Sequence, residues 1–225
     1  MSGIVVAIDG PSGSGKSTTA RQVAKRLGLR YLDTGAMYRG VAVACLMKGI
    51  SRDDAEAITH ECRTVGLDVT TDPDHPTIAV NGVDATATIR EPHVTAWVSV
   101  VATNPDCRAE LVRRQRAIIG EGGIVVEGRD ITTVVAPDAD VRALLVADPA
   151  ARMKRRNAEL GGRLDADSLA DQILRRDKDD SRLVDFEHAA PGVTLIDSTY
   201  LTIEQAVDAV VALLPPDWHV TVHNP

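Results

Sequence analysis

A glycine-rich segment near the amino terminus constrains the fold of this chain more than any other feature. Residues 10–17 read GPSGSGKS, which matches the pattern G-x-x-x-x-G-K-[ST]. The preceding Ile4–Ile8 is a short, continuous apolar run, as in parallel strands that are buried on both faces. The following residues 17–27 have helical patterning and are closed by Gly28. A strand, a glycine loop and a helix in this order open a βαβ unit, so the sequence predicts an α/β fold.

The chemistry of this loop predicts nucleotide binding. Glycines let consecutive backbone N–H groups point at an anion, and the helix that begins there adds its positive dipole end. In this pattern the lysine, Lys16, reaches the β- and γ-phosphates, and the hydroxyl of Ser17 is a ligand for Mg²⁺. The predicted ATP-binding residues are Gly10, Pro11, Ser12, Gly13, Ser14, Gly15, Lys16, Ser17 and Thr18. An Asn-Lys-x-Asp motif is missing from the sequence, which argues against a GTPase, and the chain length fits a small kinase.

Apolar runs and helical segments alternate along the rest of the chain. We expect one three-layer α/β domain over residues 1–225, with a central parallel sheet. The predicted helices span residues 34–48, 52–64, 104–119, 149–160, 165–180 and 202–214, and the predicted later strands span 124–126, 141–146 and 193–196. Residues 66–88 alternate in hydropathy around Asn81-Gly82, a strong hairpin signal, and predict a small antiparallel insert. The tail from residue 215 is weakly patterned.

Composition narrows the classes of function. The chain has 25 Lys+Arg against 32 Asp+Glu and a net charge of -7, whereas a protein that coats nucleic acid carries a basic face. No apolar stretch approaches the ~18 residues of a membrane span, and the first apolar run is too short for a signal peptide. The three cysteines lack metal-binding spacing, which predicts free thiols in a reducing compartment. We therefore expect a cytoplasmic protein with no nucleic-acid or membrane partner.

Arginine accounts for 20 of the 25 basic residues, either through genomic base composition or because guanidinium groups are recruited to phosphates. Arg129 and Asp130 follow the apolar run 124–126, so they are expected at the same sheet edge as the glycine loop. Glu127 ends that strand and could hold Mg²⁺ through a bound water, or could instead be a structural partner of a nearby arginine. Arg113 and Arg114 lie elsewhere, in the predicted helix over residues 104–119, and we expect both side chains on the solvated surface.

A second set of arginines lies within one predicted helix. Arg152, Arg155 and Arg156 are spaced i, i+3, i+4, so one helix face can present them together. A lid over about residues 150–164 could bring them to a transferring phosphoryl group, although a solvated helix face has the same pattern. With Lys16 and Arg129 they are the predicted catalytic residues.

The residues alone say less about the molecule that accepts the phosphoryl group. An alcohol acceptor requires a general base, and no carboxylate pair or histidine is obviously positioned as one. A phosphate monoester needs no base, because its oxygen is already anionic near pH 7. This favours a nucleoside monophosphate acceptor. The identity of the nucleoside monophosphate stays open at this point. A small kinase with a metabolite acceptor and a nucleotide-binding module without catalysis stay open as well.

Five segments together resemble the bacterial cytidylate (CMP) kinases, over about residues 4–214. They are residues 8–17 (IDGPSGSGKS), 32–39 (LDTGAMYR), 127–137 (EGRDITTVVAP), 176–181 (RDKDDS) and 197–199 (DST). The resemblance implies in-line transfer of the ATP γ-phosphoryl group to CMP or dCMP with Mg²⁺, for which Ser17 and Glu127 are the candidate ligands. It also implies a β-rich insert at the acceptor site, over about residues 64–100, and a monomer. The family often has Gly where this chain has Thr132.

The resemblance also implies roles for individual residues at the acceptor site. Thr34, Tyr38 and Arg39 would line the CMP pocket, and Ser99, Arg108 and Asp130 would read the cytosine. Arg39 and Arg129 would hold the CMP phosphate. Arg176 and Asp180 would hold the ribose with assistance from Arg182. The alternative register Arg175, Asp179, Arg182 stays open, because its spacing of 0, 4 and 7 residues lies on one helical face and matches the spacing usual in the family. The implied CMP-binding set is Asp33, Thr34, Tyr38, Arg39, Ser99, Arg108, Arg129, Asp130, Arg176, Asp180 and Arg182.

Overall fold

The computed structural model describes residues 3–159 and 188–218. They divide into two compact units. Leu32–Gly120 form one unit, and the described segments on either side of that stretch form the other.

The first unit is built on a parallel sheet. Within the described residues the sheet has five strands, which are β1 (Val5–Asp9), β2 (Arg30–Asp33, which runs across the boundary between the units), β6 (Ile124–Gly128), β7 (Val141–Val146) and β8 (Thr194–Asp197). Their order across the sheet is β2-β6-β1-β7-β8. β1 pairs in parallel with β6 and β7, and β7 pairs in parallel with β8. Because β1 is central, the loop at its carboxyl end lies where ligands bind in open parallel sheets.

Helices flank this sheet and bury their apolar faces. They are α1 (Lys16–Leu27), α6 (Pro149–Glu159) and α7 (Ile203–Val211), with a π-helical turn at Ile131–Val135. The residues Ala20, Val23, Ala24 and Leu27 of α1 recur at helical spacing and pack in one core with residues of β1, β6, β7 and α7. Thr202 caps α7 in a capping box with Gln205.

The second unit combines helices with a small antiparallel sheet. Its elements are α2 (Thr34–Met47), α3 (Ala55–Thr64), β3 (Leu67–Val69), β4 (Ile78–Val80), β5 (Val83–Asp84), a 3₁₀ turn (Thr88–Arg90), α4 (Pro92–Thr103) and α5 (Pro105–Ile119). Asn81 and Gly82 both have positive φ angles, 51° and 79°, and join β4 to β5. The predicted hairpin is therefore confirmed.

The α/β class is confirmed, with a central parallel sheet, flanking helices and a separate antiparallel sheet. The predicted helices over residues 34–48, 52–64, 104–119 and 149–160 and the three later strands are present, with shifts of up to three residues at their ends. The sequence interpretation missed β2 and α4. The predicted helix over residues 165–180 lies outside the described residues.

Candidate active site

The glycine loop leaves β1 and enters α1 without a side-chain cap. Gly15, at the helix start, has a φ of 87°, and Gly13 has a φ of 76°. A Cβ atom on Gly13 would lie 2.7 Å from the carbonyl oxygen of Arg152. Glycine is thus required at position 13 both by its left-handed backbone and by the close approach of α6.

Glu127 is the centre of a small polar cluster beside this loop. Its side chain is 2% exposed and lies at the end of β6. Ser17 Oγ donates a hydrogen bond of 2.6 Å to Glu127 Oε1, and the Tyr31 hydroxyl donates to the same oxygen at 3.2 Å. Lys16 Nζ lies 3.7 Å from Glu127 Oε2. The predicted cation-binding pair, Ser17 and Glu127, is thus in direct contact, next to the lysine expected to contact phosphate.

The turn after β6 is anchored to the end of β1. Asp9 is buried and accepts hydrogen bonds from the backbone N–H groups of Ile131 and Thr132, each at 2.8 Å, and from Thr132 Oγ1 at 2.6 Å. Burial raises the pKa of Asp9, and the nearby Asp130 carboxylate raises it further, against the lowering effect of these three hydrogen bonds. Asp9 is a functional candidate that the sequence interpretation missed.

Arg129 and Asp130 precede this anchored turn. Arg129 Nη1 donates to the carbonyl oxygen of Gly10 at 3.2 Å, so its guanidinium lies beside the start of the glycine loop. Asp130 is 6% exposed. Both residues therefore lie at the same sheet edge as the loop, as the strand order requires.

Arginines of α6 contact the carbonyl side of the glycine loop. Arg152 Nη1 donates to the Ser12 carbonyl at 3.2 Å. Arg155 Nη1 donates to the Ser14 carbonyl at 3.3 Å and to Ser198 Oγ at 3.1 Å. In the structure these two arginines support the backbone of the loop.

Ser198, which directly follows β8, extends that support to the end of this strand. Arg155 Nη2 also donates to the Ser198 carbonyl, at 2.6 Å, and Ser198 Oγ lies 2.9 Å from the Ser14 carbonyl. The sequence interpretation did not predict this role of Ser198, the middle residue of the segment 197–199. Arg156, the third arginine of α6, is partly buried.

Within the second unit, Asp33 and the residues after it open α2. Asp33 Oδ1 accepts a hydrogen bond of 3.0 Å from the Ala36 N–H and caps the helix. Arg90 Nη2 lies 3.6 Å from Asp33 Oδ2. Thr34 and Tyr38 are buried, 3% and 9% exposed, which leaves little of either side chain in contact with solvent.

Three further residues of the implied CMP-binding set lie in this unit. Arg39 is on α2, close enough that a Cβ atom on Gly35 would lie 3.4 Å from Arg39 Nη1. Ser99 is on α4 and Arg108 on α5, and both are partly buried. The other members Arg176, Asp180 and Arg182, and the alternative register through Arg175, lie outside the described residues.

The expectation for Arg114 was wrong. Arg113 is exposed, as predicted, but Arg114 is 19% exposed and donates to carbonyl oxygens at the end of α3, those of Val65 at 2.8 Å, Cys62 at 3.1 Å and Arg63 at 3.0 Å. Both arginines also bind Glu110. Hydrogen bonds from Arg113 and then Arg114 lower the pKa of Glu110 to about 2.

Comparison with known proteins decides between the families that share this loop. The family model described as cytidylate kinase matches residues 6–215. The chain belongs to the cytidylate kinase family. A cytidylate kinase of Cutibacterium acnes is 50% identical over 217 residues, which are 94% of this chain and 96% of that protein. A cytidylate kinase of Streptomyces avermitilis is 44% identical over 214 residues, which are 94% of this chain and 92% of that protein.

Membership of the cytidylate kinase family makes the chain a phosphotransferase, and it accounts for the glycine loop. None of the helices in residues 3–159 and 188–218 is long and apolar enough to cross a membrane.

Proposed function

We propose that the protein transfers the γ-phosphoryl group of ATP to CMP and dCMP and forms CDP and dCDP. The observation that carries this proposal is the contact between Ser17 and Glu127 beside Lys16, at the mouth of a glycine loop in a member of the cytidylate kinase family. The loop supplies backbone N–H groups for the phosphates of ATP. Lys16 is proposed to offset the negative charge that develops on the transferring group.

Mg²⁺ fits the donor set at this position. A hydroxyl oxygen and a buried carboxylate 2.6 Å apart offer oxygen ligands, which Mg²⁺ prefers, and nucleotide phosphates and waters usually complete its shell. We propose that Ser17 and Glu127 hold the ion, Glu127 through a bound water. When bound, Mg²⁺ supplies charge neutralisation on the ATP phosphates.

The acceptor requires no general base in this proposal. A phosphate monoester has a second pKa of about 6, so its attacking oxygen is anionic near pH 7. Arg129 and Arg39 are proposed to hold the CMP phosphate, and an ionised Asp130 to accept a hydrogen bond from the cytosine 4-amino group. Uracil has a carbonyl oxygen at that place and would leave Asp130 without a donor, so UMP should be a poor acceptor.

The remaining assignments complete this proposal. Thr34 and Tyr38 with Asp33 line the acceptor pocket, and Ser99 and Arg108 contact the base. Arg176, Asp180 and Arg182 hold the ribose. The insert over about residues 64–100 binds the acceptor, and a lid over about residues 150–164 brings Arg152, Arg155 and Arg156 toward the transferred phosphoryl group.

We further propose that the enzyme is a cytoplasmic monomer. The buried free thiols of Cys45, Cys62 and Cys107 suit a reducing compartment. Light scattering after gel filtration should give one mass near 24.0 kDa, and a mass twice that would overturn the monomer.

An acceptor panel tests the proposed reaction. ADP release is measured with ATP, Mg²⁺ and one of CMP, dCMP, UMP, AMP, GMP, shikimate or gluconate. Turnover confined to CMP and dCMP is expected. Turnover mainly on UMP or AMP would keep the kinase reaction but overturn the assignment of the base-reading residues. No turnover with any acceptor, while ATP still binds, would favour a nucleotide-binding module without catalysis.

A further inference from the structure

Asp9 and Thr132 form a buried link between the end of β1 and the turn after β6. The two side chains are 2% and 3% exposed. Asp9 Oδ2 accepts both the Thr132 N–H at 2.8 Å and the Thr132 hydroxyl at 2.6 Å, and Asp9 Oδ1 accepts the Ile131 N–H at 2.8 Å. One carboxylate thus binds two consecutive backbone N–H groups and the side chain of the second residue.

The residues held by this link directly follow Arg129 and Asp130. Ile131 is bonded directly to Asp130 and begins the π-helical turn Ile131–Val135. In this turn the backbone N–H groups of Val134 and Val135 donate hydrogen bonds to the Asp130 carbonyl oxygen, at 2.9 Å and 3.1 Å. A displacement at position 131 or 132 therefore moves the backbone that aims the Asp130 side chain.

The glycine loop, which begins at the residue after Asp9, has supports of its own. Arg152 and Arg155 donate to the Ser12 and Ser14 carbonyls, and Ser17 is bonded to Glu127. The loss of the Thr132 hydroxyl bond leaves all of these contacts in place. The turn carrying Arg129 and Asp130 should consequently move more than the nucleotide loop.

We propose that Asp9 and Thr132 are positioning residues that set the acceptor selectivity of the enzyme by fixing the direction of Asp130. This inference rests on the proposed function, because it concerns discrimination between CMP and UMP. Neither residue needs to touch a substrate. Their contribution is to hold a base-reading carboxylate at one angle, since displacements of about 1 Å lower the efficiency of a positioned group.

Thr132→Val is the direct test, because valine keeps the shape of threonine and removes the hydroxyl donor. Thr132→Ser keeps the donor, and Thr133→Val changes an exposed neighbouring threonine in the same way. For each variant, kcat/KM is measured with CMP and UMP, the KM for ATP is measured at saturating CMP, and CMP binding is measured by calorimetry.

Thr132→Val is expected to lower the ratio of kcat/KM for CMP over UMP by about tenfold, the size of one lost hydrogen bond to a charged group. It should weaken CMP binding and leave the KM for ATP within about twofold of the parent value. Thr132→Ser and Thr133→Val should keep the parent ratio. If Thr132→Val does not fold, which circular dichroism would show, Thr132→Ala gives the same comparison with less steric demand.

An unchanged selectivity ratio in a folded Thr132→Val protein would overturn the inference, as would an equal loss of ATP and CMP binding. Failure of the proposed function would give a different result, because the parent protein itself would then show no turnover of CMP.

Discussion

Ser17 Oγ donates a 2.6 Å hydrogen bond to Glu127 Oε1, which joins the first turn of α1 to the end of β6. The acceptor side chain is 2% exposed, and it is also contacted by Tyr31 and Lys16. A buried carboxylate needs such partners, since an unpaired charge in the interior is strongly unfavourable. In the proposed function the same oxygens would hold a hydrated Mg²⁺, so both stability and metal binding would depend on Glu127.

Glu127→Gln tests that dual role. The amide keeps the size of the side chain and removes its charge, so kcat with saturating Mg²⁺ should fall by about 10²–10³, the usual effect of removing one electrostatic group from such a site. The Mg²⁺ concentration at half-maximal rate should rise. Tyr31→Phe is the matched control, because it removes another hydrogen bond to the same Glu127 oxygen and leaves the charge. Equal losses in the two variants would show that the effect is structural.

Gly13→Ala should weaken nucleotide binding. The new methyl group would meet the Arg152 carbonyl oxygen at 2.7 Å, and the φ of 76° costs a non-glycine residue about 1–2 kcal/mol. The KM for ATP is expected to rise at least about fivefold, which steady-state kinetics measures directly. Gly28→Ala is the control, because Gly28 also has a positive φ, 63°, but has open space around its Cβ position. It should lower the melting temperature and leave the KM for ATP unchanged.

Asp130→Ala should reduce selectivity more than it slows the reaction with saturating ATP. The ratio of kcat/KM for CMP over UMP is expected to fall by about tenfold or more, because the cytosine amino group would lose its proposed acceptor and uracil would no longer face a carboxylate. Asp138→Ala removes an exposed carboxylate a few residues away and should have no such effect. A variant at Asp130 that kept the full preference for CMP would show that another group reads the base.

The stability that Glu110 contributes should be lost in acid. Its folded pKa of about 2 lies below its ordinary 4.5, so its contribution to the free energy of unfolding is complete above about pH 5 and is lost as pH falls toward 2. Glu110→Gln should cost about 1 kcal/mol at pH 7. The difference from the parent should vanish near pH 2, as followed by urea unfolding at several pH values. Asp208→Asn, in the exposed pair with Arg26, should have little effect at any pH.

The sequence predicts the framework of the site well because its signals are local. The loop pattern, the apolar strands and the capping residues Asn104 and Thr202 each act within a few residues, and the structure places elements where those patterns indicate. Glu127 and Arg129 could be located at one sheet edge because strand ends converge there.

The missed features depend on tertiary contacts. In α4 the residues 94–101 include four valines and a threonine, which favour a strand by propensity, yet burial of Val94, Trp97 and Val101 on one face stabilises a helix. β2 has only four residues, too few for a clear periodic signal. The roles of Asp9 and Arg114 require partners more than 45 residues away in sequence, which no spacing rule reveals.

Transfer of a phosphoryl group from ATP to CMP can be tested by following the fate of that group. The protein is incubated with Mg²⁺, CMP and ATP labelled at the γ-phosphoryl group, and the products are separated by chromatography. We expect the label to appear in the β-phosphoryl group of CDP, in an amount equal to the ADP formed. Label found in inorganic phosphate, with CMP unchanged, would contradict it.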